Sequence, residues 1–121
     1  MRRVVCSAVL VLVGAGAGYA ASEHRPRYVT VVHLQSALPK EQVLEVMDAR
    51  ADAFRALPGL NQKLYLYDPE TKRYAGIYLW RSKDAAEAYL RSELRKSLRD
   101  AYRIEGAPEV RHYELLRVLR D

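Results

Sequence analysis

The sequence predicts an α+β fold with the element order β-α-β-β-α-β, the ferredoxin-like arrangement of four antiparallel strands with helices between them. Two alternating runs, residues 60–68 and 73–81, flank the turn-forming segment Asp68-Pro69-Glu70-Thr71-Lys72 and so make a hairpin. One helical apolar stripe precedes that hairpin and another follows it. Short runs rich in β-branched and aromatic residues open and close the region.

The first 27 residues have a different character. Met1-Arg2-Arg3 is basic, residues 4–13 are apolar, and Gly14 to Ala21 is mostly small, which is the layout of a secretory signal peptide. The apolar run is shorter than the roughly 20 residues of a membrane span. Cleavage after Ala20, with Gly18 three residues before the cut, makes residues 1–20 the signal, 21–27 a linker and 28–121 the domain. The expected location is therefore exported, periplasmic or secreted, with no stable membrane span after cleavage; an uncleaved N-terminal anchor is the alternative. Cleavage removes Arg2, Arg3 and Cys6, leaving 18 basic and 15 acidic residues and no Cys.

In the domain, Tyr28 to Leu34 is a β-branched strand and Gln35 to Leu38 a turn. Pro39 suits the first position of a helix, where its missing N–H costs nothing. Val43, Met47, Phe54 and Leu57 then share one helical face until Pro58-Gly59 stops it. In the hairpin, Leu60, Gln62, Leu64 and Leu66 point one way, and Asn61, Lys63, Tyr65 and Tyr67 the other. The second run puts Ala75, Ile77 and Leu79 opposite Tyr74, Gly76, Tyr78 and Trp80. Each strand thus has an aliphatic and an aromatic face, so both faces of the sheet are covered, one by the helices and the other by a second copy of the chain. Gly76 leaves a notch in the aromatic face, suited to a bulge or a close approach.

Ser82 caps the second helix, with Asp84 in its first turn. That helix runs to about Arg103, with a possible break near Ser92, and is ended by Gly106-Ala107-Pro108. Glu109 to Leu119 is the last strand.

Composition narrows the function. Half of the 121 residues are apolar, enough for the core of one domain and too many for a disordered chain. A single Cys excludes an internal disulfide and a Cys-based zinc site, and His24, His33 and His112 lack the close spacing of a metal motif. No metal site is expected. The mild positive surplus does not mark a nucleic-acid binder. RNA-recognition modules share the βαββαβ order, but Arg73 to Trp80 matches their third-strand signature only at its first, fourth and last positions.

The candidate site residues follow from the aromatic face. Tyr65, Tyr67, Tyr78 and Trp80 form a contiguous patch suited to a small aromatic or hydrophobic molecule, with Tyr89 facing it from the second helix. Packing in the core or a dimer interface is the alternative role for Trp80. His33 and His112 lie in the terminal strands, which antiparallel pairing brings together; a His is the natural general base near neutral pH.

Leu57-Pro58-Gly59-Leu60, Lys63-Leu64-Tyr65, Ala75-Gly76-Ile77-Tyr78-Leu79 and Ala85-Ala86-Glu87-Ala88-Tyr89-Leu90 resemble the YdhR-like monooxygenases. Leu79-Trp80-Arg81-Ser82-Lys83 is similar to the wider antibiotic-biosynthesis monooxygenase superfamily. The resemblance spans roughly Tyr28 to Leu116. It implies a dimeric α/β barrel in which two protomers pack sheet to sheet. It also implies oxidation of a phenol- or hydroquinone-type aromatic by O2 with no cofactor, the substrate itself supplying the electrons.

In haem-degrading members of that superfamily the second helix carries a pocket Trp and an iron-ligating His; the matching positions here hold Tyr89 and Arg99. A guanidinium has no lone pair for iron, so the resemblance instead offers Arg99 as a partner for an acidic or phenolate oxygen. His33 and Arg99 are thus the catalytic candidates, and Tyr65, Tyr67, Tyr78, Trp80, Tyr89 and His112 the substrate-binding ones. The competing reading is a non-catalytic module of the same fold that binds a small hydrophobic molecule or serves a stress response.

Overall fold

The computed structural model describes residues 25–120. The expected signal peptide and the first residues of the linker lie outside the described residues. The elements are β1 (Tyr28–Ser36), α1 (Lys40–Arg55), β2 (Leu60–Tyr67), β3 (Tyr74–Trp80), α2 (Lys83–Leu90), α3 (Glu93–Lys96), α4 (Leu98–Tyr102) and β4 (Ile104–Glu114). The strands form one antiparallel sheet in the order β2-β3-β1-β4, which is the ferredoxin-like βαββαβ arrangement.

The two-faced hairpin is the origin of the layering. Cross-strand partners share a face, so Thr30 with Tyr78, Val32 with Gly76 and Tyr28 with Trp80 define one side. That aromatic side meets the helices: Val32, Tyr74, Tyr78 and Trp80 join Val43 and Phe54 of α1, Ala86 and Tyr89 of α2, and Leu98 and Tyr102 of α4 in one buried cluster. The opposite, aliphatic side carries Leu64 opposite Ile77 and Val29 opposite Tyr113. Leu64, Leu66 and Tyr113 are 44%, 45% and 50% exposed.

Local chemistry sets the boundaries. Ser82 Oγ accepts the Ala85 N–H at 3.1 Å and starts α2 as expected. Ser92 Oγ accepts the Arg95 N–H at 3.2 Å and restarts the chain as α3, so the break near Ser92 is present. Gly59 stands at φ +78°, and a Cβ there would lie 2.5 Å from the Ala85 Cβ, so the turn into β2 needs glycine both for its backbone and for contact with α2.

Three expectations are corrected. The helical run ends at Tyr102, close to the expected Arg103, but what stops it is the left-handed Arg103 at φ 45° and not Gly106-Ala107-Pro108. Gly106-Ala107-Pro108 therefore lies inside β4. The register there passes from His33↔Glu109 to Gln35↔Glu105, so the segment forms a bulge. An edge strand admits a proline because one row of its backbone groups needs no ladder partner. At its other end β4 stops at Glu114, opposite Tyr28, where β1 itself begins. Finally, the β2–β3 register shifts between Leu60 and Gln62, which returns Leu60 to the helix side, where it packs on the core.

Candidate functional site

The helix side of the sheet encloses a cavity of about 40 Å³ between β1–β3 and helices α1 and α4. Aliphatic walls come from Val32, Leu34, Val43, Met47 and Leu98, and polar groups from Lys63, Tyr65, Tyr74, Tyr78 and Tyr102. A wider cleft of about 270 Å³ opens on the far side of Lys63 and Tyr65, bounded by Phe54, Arg55 and residues 60–62. Lys63 and Tyr65 line both spaces and so form the wall between them.

Lys63 reaches this position because β2 places it opposite Tyr78, on the aromatic side. Its Nζ lies 3.4 Å from the centroid of the Phe54 ring, 4.5 Å from that of Tyr65 and 4.7 Å from that of Tyr78. Ring faces attract an ammonium, but they replace its hydration only in part. Burial, seconded by the Arg50 guanidinium, pulls the Lys63 ammonium down from 10.5 to about 7. A neutral amine is therefore abundant at physiological pH. The notch at Gly76 serves the Tyr78 ring: a Cβ there would crowd Tyr78 Cε1 at 3.3 Å, whereas Lys63 Cε, at 3.9 Å, would be at ordinary contact distance.

Arg50, on α1, donates from one terminal nitrogen to the Leu94 carbonyl at 3.1 Å and to Ser97 Oγ at 3.0 Å. Its buried Nε has no hydrogen-bond partner. Behind the cavity, Tyr78 and Tyr89 bring their hydroxyls within 3.4 Å of each other. Burial holds the Tyr78 phenol well above its ordinary pKa, with the neighbouring Tyr89 adding to it, and pushes Tyr102 up to about 12. These phenols stay protonated and can donate hydrogen bonds.

The expected site residues divide accordingly. Tyr65 and Tyr78 line the cavity. Tyr89 is buried behind Tyr78, with ring centroids 5.4 Å apart. Tyr67 pairs with Tyr74 at 5.0 Å and carries Lys40 Nζ 4.4 Å above its ring, away from both spaces. Trp80 is fully buried and lines neither space; its Nε1–H donates to Thr30 Oγ1 at 3.0 Å, so it is a packing residue.

His112 lies 3.0 Å from the same Thr30 hydroxyl through Nδ1 and stacks on Tyr28, also outside the cavity. His33 opposes Glu109 and Ala75 and is exposed on the aliphatic side, so strand pairing does not bring the two His together. Arg99 is exposed and donates to the carbonyls of Ile104 and Gly106 at 3.3 and 3.0 Å, clipping α4 to the start of β4. Neither catalytic candidate reaches the cavity. The basic side chain that lines the cavity is Lys63, with Arg50 near it but outside the lining; the signal for Lys63 is its alternation with Tyr65 and Tyr67.

Among the described residues no three His, Cys, Asp or Glu side chains are grouped to hold a metal ion, and no helix is long and apolar enough to cross a membrane.

No curated protein matches the chain. Among solved structures, the chain is similar to the cofactor-independent oxygenase SnoaB of Streptomyces nogalater at 17% identity, with 79% of this chain and 99% of that one covered and a TM-score of 0.64. The monooxygenase from the gene ActVA-Orf6 of Streptomyces coelicolor, in complex with nanaomycin D, aligns at 18% identity over 80% of this chain and 94% of its own, TM-score 0.61. The NE2512 protein of Nitrosomonas europaea aligns at 14% identity over 81% and 97%, TM-score 0.64. At these identities the likeness establishes a shared fold. The family model described as "Putative mono-oxygenase ydhR" matches residues 29–115, and the chain belongs to that monooxygenase family.

Proposed function

We propose that the protein is a cofactor-independent monooxygenase that oxidises a small phenol- or hydroquinone-type aromatic with O2 in the cavity between sheet and helices. The observation that carries this reading is the Lys63 amine, on the cavity wall and neutral in part near pH 7. A base with that pKa takes the proton of a phenol most effectively at neutral pH. The phenolate then passes an electron to O2, the radical pair joins as a C–OOH bond at a ring C–H position, and loss of water leaves a quinone. One phenol and one O2 give one quinone and one water, so no external reductant is consumed. The protein supplies the base, apolar walls that exclude water, and protonated phenols that orient the ring oxygen.

The cavity is small for such a ring, and the larger cleft lies directly across Lys63 and Tyr65. Tyr65 is 38% exposed and lines both spaces, so in this reading its displacement opens the cavity towards the cleft for an aromatic ligand. The exposed aliphatic side of the sheet suits a second copy of the chain, giving a homodimer packed sheet to sheet. Residues 1–20 direct the chain to export in this reading.

The experiment is an oxygen-uptake assay with naphthols, fused-ring phenols and hydroquinones. With a naphthol, uptake of one O2 per quinone formed, lost in Lys63→Met, supports the oxygenase. A naphthol that binds saturably and is recovered unchanged under O2 instead identifies a binding module.

A further inference from the structure

With this cavity as the substrate site, its polar lining has a consistent sign. The polar side chains are one amine and four phenols, and no Asp or Glu is among them. At neutral pH a tyrosine hydroxyl is protonated and can donate. Arg50 stands behind, its buried Nε without an acceptor. Among the described residues Lys63 Nζ has ring faces around it and no carboxylate or carbonyl partner. Both basic groups are half-buried. Lys63 has no acid against its amine, and Arg50, bonded through one terminal nitrogen to Leu94 and Ser97, keeps a buried Nε unpaired. The carboxylate at this wall, Asp48 of α1, acts on Tyr65. A buried charge is ordinarily paired or neutralised, and an anion entering this cavity meets Lys63 and the Arg50 Nε with no lining carboxylate competing for them.

We infer that the cavity admits its aromatic ligand as an anion, a ring bearing a carboxylate or an acidified phenol oxygen, with the charge settled on Lys63 Nζ and Arg50 behind it. The family resemblance offers Arg99 for such a pairing, but the fold keeps Arg99 at the surface. The groups that face Lys63 favour this assignment from each side: the Arg50 cation on α1, and the Tyr65 and Tyr78 phenols on β2 and β3. Tyr102 on α4 completes the lining with a further neutral phenol. A bound anion stabilises the ammonium, so ligand and proton bind together, and the ammonium–oxyanion pair that results is the same one that proton transfer from a neutral phenol to the free amine produces.

The probes are 2-naphthoate and 2-naphthamide, close to isosteric and differing in charge. Neither needs O2, so titration calorimetry under nitrogen separates this inference from the oxygenase reading. Naphthoate is expected to bind at least about tenfold more tightly than naphthamide at pH 6. Its affinity should then fall by up to about tenfold per pH unit above pH 7, while that of naphthamide stays flat, as one-proton linkage requires. Lys63→Met should abolish the preference and Lys63→Arg preserve it. Equal binding of the two probes, a flat naphthoate profile in the wild-type protein, or a preference surviving in Lys63→Met overturns the anion site while leaving an aromatic cavity in place. Failure of both probes to bind overturns the anion site together with the reading of this cavity as the substrate site.

Discussion

Lys63 Nζ stands 3.4 Å from the centre of the Phe54 ring, on the buried side of a sheet whose other face carries its own exposed leucines. A lysine there is costly to the fold, and that cost makes the residue testable without knowing its substrate. Unfolded, the amine holds its proton to about 10.5; folded, it releases it near 7. Between those values the unfolded chain binds the extra proton, so stability rises with pH across the window. Below about 7 the penalty is present in full.

Lys63→Met keeps an apolar stem of the same length and removes the terminal amine. It should stabilise the protein at pH 6 by about 1–3 kcal/mol, the range for relieving an unpaired buried polar group. The gain should shrink as pH rises towards 10, while O2-dependent turnover is lost. Denaturant melts at several pH values measure the first effect. A variant less stable at pH 6 than the wild type would show that the amine is satisfied in the fold.

Thr30 is 1% exposed and accepts the only N–H of the Trp80 indole. Thr30→Val preserves shape and leaves that donor buried without a partner. We expect a loss of about 1–3 kcal/mol in stability with aromatic-ligand affinity changed less than about twofold, since Trp80 lines neither space. A large affinity loss in a folded Thr30→Val protein would return Trp80 to the site.

Arg99→Ala and His33→Ala should each leave turnover within about twofold of wild type. Arg99 is bonded to two β4 carbonyls at the surface, where one such contact is worth about 1 kcal/mol of stability. His33 points to the aliphatic side. Steady-state rates on any substrate found active decide this, and a loss beyond about tenfold in either variant would contradict the placement.

Leu64→Glu puts a charge in the middle of the exposed aliphatic side. Light scattering at micromolar concentration should give a dimer for the wild type and a monomer for the variant, with the helix side unaffected. A wild-type monomer would remove the second copy from the account.

The order of elements was legible because alternation survives in every core strand and the stripes of α1 and α2 keep their helical spacing. The aromatic and aliphatic faces were legible too, although alternation does not say which face the helices cover. That ambiguity hid the site. Lys63 was placed with Tyr65 and Tyr67, and a strand lysine reads as solvated until that face proves to be the one beneath α1. Bulges hid the rest. One turns Leu60 inward; the other lets β4 run through Gly106 and Pro108, residues that in sequence read as the end of a helix. His33 and His112 were expected to meet because their strands pair, but pairing sets neighbours by register, and Glu109 occupies the place opposite His33.

The Lys63 ammonium gives up its proton near neutral pH, and lysine ¹³Cε resonances followed by NMR from pH 5 to 11 read that directly. The chain has five lysines: Lys40, Lys63, Lys72, Lys83 and Lys96. One resonance should titrate near 7 and be missing in Lys63→Arg, with the others titrating in the ordinary lysine range. Five resonances that all titrate near 10 would contradict it.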